Sequence, residues 1–407
     1  MGFAIYNAKE KPIRRMYLIL SLVSNLGILA YFKYYNFFVD SLNSLGAGLK
    51  TMDIFLPIGI SFFTFQTLSY SIDIYRGNLK PEKSILNFAF FVTFFPQLVA
   101  GPIVRAKEFL PQIRNTLVLS KAGFGKAVFL IGNGLFKKAV ISDYISSNFV
   151  DRVFENPNLY SGLENLIGVY GYALQIYCDF SGYSDMAIGI ALLLGFKLPE
   201  NFNYPYKASS ITEFWRRWHI SLSSWLRDYL YISLGGNRKG LLRTNINLMI
   251  TMLLGGLWHG ANWKFVLWGA MHGAMLVLEK FISRLFALPK TKVTKALGIF
   301  ITFNFVSFCW IFFRAESYNK ALDVLSQIKN NFNFALLTQV FNSYTYIILL
   351  ILLGFLIHFK SKRLDTYYVK LIVKAPMVFK ALYLSIICWI IVQLSNSEVI
   401  PFIYFQF

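Results

Sequence analysis

The sequence predicts an all-α polytopic membrane protein, and two observations support that prediction. Hydrophobic residues make up 56% of the 407 residues and charged residues only 15%, whereas an ordinary soluble domain is about 25% charged. Apolar segments that approach the ~20 residues needed to cross a ~30 Å hydrocarbon core also recur along the whole chain. We therefore expect a single membrane-embedded domain over residues 1–407, with its site built from its own spans.

Hydrophobic periodicity predicts about nine to eleven transmembrane or re-entrant helices. Several are interrupted by Gly, Pro or Asn, as in FFPQLVAGP (94–102). Such breaks persist in a bilayer only where protein or a water-filled cavity covers the backbone, so we expect half-helices that line an interior cavity. The predicted segments are 16–32, 54–74, 85–104, 122–141, 163–178, 183–198, 244–258, 262–286, 296–314, 343–359 and 378–395.

The net charge of +20 comes from short loop clusters, among them RGNLKPEK (76–83) and NRKGLLR (237–243). This distribution is typical of the positive-inside rule and of anionic lipid surfaces, so nucleic acid is not an expected partner. RAKEFLPQIR (105–114) follows RGNLKPEK after one apolar segment. Either that segment is re-entrant, or one cluster lies on the unexpected side.

Three cysteines lie in apolar stretches without a CxxC pair, so the sequence indicates neither a disulfide nor a zinc framework. The first residues, MGFAIYNAKEKPIRR, lack the pattern of a cleavable signal.

Four histidines are present, and an ionisable group within a span is a functional candidate because the bilayer disfavours it. His358 ends a predicted span beside Lys360, and we expect it at the membrane interface. His272 lies on a segment rich in small residues, where a hydrogen bond between helices is the expected role.

His219 and His259 are the stronger candidates. His219 lies in FWRRWHISLSSWLRDYLYI (214–232), whose aromatic and basic residues predict an amphipathic helix at a membrane interface. An anchoring helix and a functional histidine are equally good interpretations of that pattern. His259 lies in GGLWHGANW (255–263), where glycines allow close backbone approach, so we expect a rigidly held imidazole.

Two embedded histidines favour acyl transfer, because a neutral imidazole can take a proton from a hydroxyl and return it to a leaving group. Metal or haem binding by His219, His259 and a carboxylate is an alternative, but no HxxxH or HExxH spacing supports it. A transporter or flippase is another, with Asp179 and Asp185 near the membrane midplane.

Long motifs then carry a family resemblance. The chain resembles the membrane-bound O-acyltransferase family, in the bacterial branch of alginate and peptidoglycan O-acetyltransferases. The resemblance implies a fold with these helices around a central channel. The motifs are FFPQLVAGPIVR (94–105), YCDFSGYSDMAIGIALLLGF (177–196), FWRRWHISLSSWLRDYLYISLGGNRKG (214–240), GGLWHGANWKFVLWGAMHG (255–273) and PFIYFQF (401–407).

Residue roles follow from the resemblance. It implies that His259 is the catalytic base on the acceptor hydroxyl, and that His219 lines the channel where the acyl donor arrives. Asp179 and Asp185 match too, but helix caps or buried hydrogen bonds at a helix break are their expected roles. The supporting or channel residues are Arg216, Trp218, Asp228, Asn237 and Trp258.

The resemblance also implies a multi-pass protein of the bacterial cytoplasmic membrane. The expected donor is acetyl-CoA or an acyl-carrier thioester, with no tightly bound cofactor and no metal. The expected partner is an exported transferase of the SGNH-hydrolase type that acetylates a polysaccharide. The teichoic acid D-alanylation branch is the alternative within the family. Relatives begin with further apolar segments, so the chain looks short at its N-terminus, and we expect the absent part to be outer scaffold.

Overall fold

The computed structural model describes residues 1–98, 101–116, 118–286, 289, 291–394 and 402. Within these residues the chain is helical and forms no strand, which confirms the all-α prediction. The α-helices are α1 (Gly2–Asn7), α2 (Lys11–Leu29), α3 (Tyr35–Asn43), α4 (Ile60–Tyr75), α5 (Ile85–Thr93), α6 (Phe95–Leu98), α7 (Ala106–Ile113), α8 (Lys121–Leu135), α9 (Asp143–Ile145), α10 (Asp151–Glu155), α11 (Gly162–Leu193), α12 (Ile211–Trp215), α13 (Ile220–Trp225), α14 (Gly240–His259), α15 (Trp263–Leu285), α16 (Lys292–Arg314), α17 (Tyr318–Asn330), α18 (Leu337–Ser343), α19 (Thr345–Phe359), α20 (Lys362–Lys374) and α21 (Met377–Leu394).

Short π-helical and 3-10 segments connect several of these helices. Three π-helical segments bear on the site: Ala30–Tyr34 joins α2 to α3, Phe136–Ser142 continues α8, and Leu226–Tyr231 continues α13. The other π-helical segment is Ser146–Val150, and the 3-10 turns are Pro157–Leu159, Pro205–Lys207 and Phe334–Leu336.

Four described helices are long and apolar enough to cross a membrane, namely Lys11–Asn43, α15, α16 and α21. A fifth span results if Phe334–Ser343 and Thr345–Phe359 are counted together, although the chain bends by 99° between them. The remaining predicted spans are shorter or carry more polar residues; α4, for example, has 16 residues. The chain is therefore a multi-pass membrane protein, while nine to eleven crossings stays a prediction.

The two spans predicted at 163–178 and 183–198 are one helix, so that division is wrong. The 32 residues of α11 extend over about 48 Å at 1.5 Å per residue. The glycine in SGYSD, Gly182, suggested a helix break, but it instead allows two helices to pack closely. A Cβ atom on Gly182 would lie 2.7 Å from the carbonyl oxygen of Gly134 in α8.

The interruption predicted in FFPQLVAGP is present, although residues 99 and 100 of that stretch lie outside the described part of the chain. Helix α5 has nine residues and ends at Thr93, before the one-turn helix α6. The Arg114 guanidinium then lies 2.6 Å from the Glu82 carboxylate. Because such a contact cannot reach across a ~30 Å core, the ion pair indicates that both basic clusters lie on one side of the membrane.

Helices α14 and α15 form an antiparallel pair that carries the candidate site. They approach closely at glycines, since a Cβ atom on Gly256 would lie 2.2 Å from the carbonyl oxygen of Phe265 and 3.1 Å from the Cα atom of Gly269. The close backbone approach predicted around His259 is therefore confirmed. Aromatic side chains from α4, α11, α13 and α16 complete the core around this pair.

Candidate active site

His259 is the last residue of α14 and is buried. Its imidazole lies among aromatic rings, 5.1 Å from the Trp268 ring and 5.3 Å from the Phe313 ring between centroids. Both contacts are edge-to-face, the geometry that aromatic pairs prefer. The ring is therefore held in a crowded interior, as the glycine-rich motif predicts.

Lys33 stabilises the end of the helix that carries His259. Its ammonium donates to the carbonyl oxygen of Trp258 over 2.7 Å and to that of His259 over 3.3 Å. The Tyr34 hydroxyl donates to the carbonyl oxygen of Leu257 over 3.0 Å. The last carbonyls of a helix lack partners within the helix and favour a positive charge, so these donors complete the C-terminus of α14.

Sequence reasoning missed Lys33, although a signal was available. It is the only charged residue between Arg15 and Asp40. An ionisable group inside an apolar span is a functional candidate by default, but the predicted span 16–32 ended one residue before Lys33, whereas the helical span in the structure extends from Lys11 to Asn43.

His219 does not lie on a continuous helix, so the amphipathic helix predicted over 214–232 is wrong as a single element. Helix α12 ends at Trp215, and α13 begins after His219, whose φ of 42° is left-handed. The turn brings Trp218 and His219 into the interior, at 1% and 0% exposure, while Arg216 stays exposed.

Asn201 holds His219 in this conformation. Its side-chain oxygen lies 3.1 Å from Nδ1 of His219 and accepts the Ser221 hydroxyl over 2.8 Å. Its carbonyl oxygen accepts the backbone N–H of Ile220 over 2.9 Å. A left-handed residue other than glycine costs roughly 1–2 kcal/mol, so these bonds stabilise an unfavourable turn. Sequence reasoning missed Asn201, because no motif distinguishes it in the polar stretch after α11.

Trp258 lies between the two histidines. Its ring centroid is 6.0 Å from that of His219 and 5.2 Å from that of His259. Trp218 is buried in the same aromatic core, with its ring 5.1 Å from that of Trp310. The structure therefore brings together four of the seven residues proposed for the site: both histidines, Trp218 and Trp258.

A cavity of about 430 Å³ leads to His259; we call it the histidine cavity. It follows α14 from Leu248 to His259, which is about 16 Å at 1.5 Å per residue. Three basic side chains, Arg216, Arg227 and Lys280, also line it. Because Arg216 and Arg227 are exposed, we take this basic end as the mouth and His259 as the far end.

Two of the seven proposed residues, His259 and Arg216, line the histidine cavity. The other five do not: His219, Trp218, Trp258, Asp228 and Asn237. The Asp228 carboxylate lies 2.8 Å from Arg105 and 2.7 Å from Arg227, and its backbone carbonyl accepts from Arg76 over 3.0 Å. Asp228 thus anchors the π-helical segment Leu226–Tyr231 beside the mouth. Asn237 is exposed in the turn before α14.

The two other histidines, His358 and His272, are also buried. His358 is 2% exposed, so protein covers its side chain, while its position at the membrane interface stays a prediction; its Nε2 accepts the backbone N–H of Tyr206 over 3.2 Å. His272 is fully buried, and neither ring nitrogen has a hydrogen-bond partner among the described residues. The predicted hydrogen bond between helices is therefore wrong for His272, which instead packs 4.7 Å from the Trp268 ring.

Asp179 and Asp185 lie inside α11 rather than at a helix break, so that part of the prediction is wrong. Their expected polar contacts are present: Asp179 lies 2.6 Å from Lys138, and Asp185 lies 2.7 Å from Lys137. Neither carboxylate lines the histidine cavity. The described part of the chain also contains no cluster of three His, Cys, Asp or Glu side chains that could hold a metal.

The closing motif PFIYFQF lies outside the described residues except for Phe402. The Phe402 ring is 5.7 Å from that of Phe180, which is itself 4.6 Å from that of His219. The Phe402 ring therefore contacts Phe180, which in turn contacts His219.

Fold and site together define a helical multi-pass membrane protein with two buried histidines and a cavity that reaches one of them. Residues 81–319, more than half of the chain, match the family described as MBOAT, the membrane-bound O-acyltransferase family. The chain belongs to this family.

Similar proteins include O-acetylases or O-acetyltransferases and D-alanyltransferases. A probable alginate O-acetylase of Azotobacter vinelandii is 48% identical over 75% of this chain and 61% of its own length. A peptidoglycan O-acetyltransferase of Helicobacter pylori is 40% identical over 80% of this chain and 67% of its own. A teichoic acid D-alanyltransferase of Bacillus subtilis is 29% identical over 64% and 69%. The chain spans about six-tenths of the length of the alginate O-acetylases that it matches.

Proposed function

We propose that this protein is a membrane O-acyltransferase that moves an acetyl group from a thioester donor to a hydroxyl acceptor, with His259 as the general base. The single observation that carries the proposal is the histidine cavity, which ends at a buried imidazole and opens among basic side chains. The acetyl group is preferred because the relatives of 40–48% identity are named O-acetylases or O-acetyltransferases.

In the proposed reaction a ring nitrogen of His259 takes the proton of the acceptor hydroxyl. The hydroxyl oxygen then attacks the thioester carbonyl, an ester C–O bond forms and the C–S bond breaks. The imidazolium returns its proton to the departing thiolate, so protons balance. Such positioned acid–base catalysis contributes about 10²–10⁴-fold to a rate.

The shape of the histidine cavity supports a donor whose thioester lies at the end of an extended arm. A depth of about 16 Å separates the basic mouth from His259. Arg216, Arg227 and Lys280 are suited to phosphate groups, which guanidinium and ammonium groups bind by charge-assisted hydrogen bonds. Acetyl-CoA and a carrier-bound phosphorylated arm both have this form, and we propose one of them as donor.

His219 and Trp258 lie beside His259 but do not line the histidine cavity, so they are proposed as residues that support the His259 ring beside the reacting groups. Trp218 is proposed as a packing residue of the surrounding core. Arg216 is proposed to bind the donor, and Asp228 to hold the mouth. Asn237 is retained only as a supporting residue, because it is exposed and outside the histidine cavity.

We further propose that the protein lies in the bacterial cytoplasmic membrane and passes the acetyl group to an exported SGNH-hydrolase-type transferase, which modifies a polysaccharide. D-alanyl transfer to teichoic acid is the second candidate, supported by relatives of 29% and 34% identity. A transporter has less support, because Asp179 and Asp185 are paired with lysines away from the histidine cavity.

The proposal is tested in cells that lack the gene and carry either the wild type or His259→Ala. Envelope glycan is isolated, its ester-linked acetyl and D-alanyl groups are measured, and membrane insertion of each variant is checked by immunoblot. We expect the wild type to restore acetyl esters and His259→Ala to leave them at the deletion level. Restoration of D-alanyl esters alone would favour the second candidate, and full restoration by His259→Ala would contradict the proposed base.

A further inference from the structure

A second cavity of about 800 Å³ lies between α8, α11, α19, α20 and α21, and we call it the lateral cleft. It shares no lining residue with the histidine cavity. Its volume is within the ~300–1,000 Å³ range of small-molecule sites. The lateral cleft is therefore a second cavity, distinct from the histidine cavity and large enough for a small molecule.

Much of its lining is apolar and comes from helices that face the bilayer. Helix α21, on one side of the lateral cleft, is a candidate membrane span of which only 6% of the apolar window is buried. Hydrocarbon from the surrounding bilayer is chemically compatible with this surface. The apolar residues include Phe129, Leu130, Leu356, Ile357, Ile386 and Ile390.

The polar part of the lining carries both signs of charge. Lys137 is 2.7 Å from Asp185, and Lys360 forms an ion pair with Asp365. Glu200 also lines the lateral cleft and makes no ion pair with another described residue. Three carboxylates and two ammonium groups favour a ligand with a positive group over a purely anionic one.

His358 supplies an unused donor at the lateral cleft. Since its Nε2 accepts the backbone N–H of Tyr206, the neutral ring carries its proton on Nδ1. Nδ1 is buried and has no hydrogen-bond partner among the described residues. A buried polar group without a partner costs about 1–3 kcal/mol, so an acceptor oxygen bound beside His358 would be stabilised.

We propose that the lateral cleft binds one glycerophospholipid with a primary ammonium headgroup. The acyl chains lie against α8, α19 and α21, and a phosphate or ester oxygen accepts from Nδ1 of His358 beside the Lys360 ammonium. The headgroup ammonium pairs with the Glu200 carboxylate. No residue of the histidine cavity takes part in this site.

The test is native mass spectrometry of the protein purified from nanodiscs that contain equal amounts of phosphatidylethanolamine and phosphatidylglycerol. We expect one retained phosphatidylethanolamine on the wild type. Ile390→Trp fills the lateral cleft and should lose that lipid, whereas Leu382→Trp, on an exposed position of α21 outside the cleft, should keep it. His358→Phe removes the donor and should weaken retention about tenfold, the change expected from ~1.4 kcal/mol.

Glu200→Gln tests the proposed headgroup contact with a substitution that should not disturb folding, because Glu200 is exposed. This variant should retain the two lipids equally while the wild type prefers phosphatidylethanolamine. The proposal is overturned if the wild type retains no lipid, if it retains both lipids equally, if Ile390→Trp binds like Leu382→Trp, or if a protein helix occupies the lateral cleft instead.

Discussion

The Lys33 ammonium donates to the carbonyl oxygen of Trp258 over 2.7 Å. This bond joins the span Lys11–Asn43 to the C-terminus of the helix that carries His259. The family match begins at residue 81, so a helix outside the matched region holds the proposed base in place. The positioning of His259 therefore depends on a part of the chain that the motifs do not cover.

Replacing Lys33 should displace His259, because the Lys33 ammonium binds the backbone carbonyls of Trp258 and His259. Lys33→Met keeps the length of the side chain but leaves the Trp258 carbonyl without its charged donor, which costs about 1–3 kcal/mol of folding stability. A displacement of about 1 Å at the base can lower a rate about 100-fold, so we expect acetyl transfer to fall by 10- to 100-fold. Thermal unfolding in detergent and a transfer assay measure the two effects. Lys50→Met, at an exposed lysine, is the matched control, and equal behaviour of the two variants would rule out the role of Lys33.

Asn201 is a positioning residue for His219. Asn201→Ala removes the oxygen that binds both the His219 ring and the Ser221 hydroxyl, so the left-handed turn at His219 should relax. We expect the kcat of transfer to fall by about tenfold or more, with the KM of the donor nearly unchanged, because the mouth is not altered. Asn203→Ala is the control, since Asn203 binds Arg217 through its backbone N–H and its backbone carbonyl, which the substitution keeps. A rise in KM at constant kcat would mean that Asn201 shapes donor binding instead.

The close contact of α14 and α15 predicts a strong effect at Gly256. Gly256→Ala would place a Cβ atom 2.2 Å from the carbonyl oxygen of Phe265, so the two helices must separate at an overpacking cost of about 1–3 kcal/mol. Gly27→Ala, in α2 with no atom within 4 Å of the added carbon, should instead leave stability unchanged or raise it by about 0.5–1 kcal/mol. Equal melting temperatures for the two variants would show that the helices do not approach as described.

The ion pair of Glu82 and Arg114 predicts that residues 76–83 and 105–114 lie on the same side of the membrane. Lys83→Cys and Glu108→Cys, introduced singly at exposed positions after the exposed Cys388 is replaced by serine, should react with an impermeant thiol reagent from the same face. Labelling is scored in sealed right-side-out and inverted vesicles. Reaction from opposite faces would show that residues 85–104 cross the membrane.

Much of the fold was predictable, because apolar length and glycine breaks follow from elementary rules. The predicted segments 262–286 and 296–314 agree closely with α15 and α16. The prediction failed at α11, where Gly182 resembles a helix break but serves contact with α8. The sequence does not distinguish a glycine that breaks a helix from one that allows two helices to pack closely. Only the tertiary contacts separate these two roles.

The sequence singled out the two histidines of the candidate site, but it did not single out the residues that hold them in place. His219 and His259 come from separate motifs and lie on either side of Trp258. Lys33 and Asn201 contact them from 226 and 18 residues away in sequence. No local pattern encodes such pairings, because the fold alone brings the groups together.

The measurement that tests the account most directly compares the kinetics of wild type, His259→Gln and Arg227→Ala in purified, reconstituted protein with acetyl donor, acceptor glycan and exported transferase. If His259 is the base at the end of the histidine cavity, His259→Gln lowers kcat by about 10²–10⁴-fold with little change in donor KM. Arg227→Ala should raise donor KM and preserve kcat, because it lies at the mouth. A His259→Gln variant that folds normally and keeps the kcat of the wild type would contradict the account.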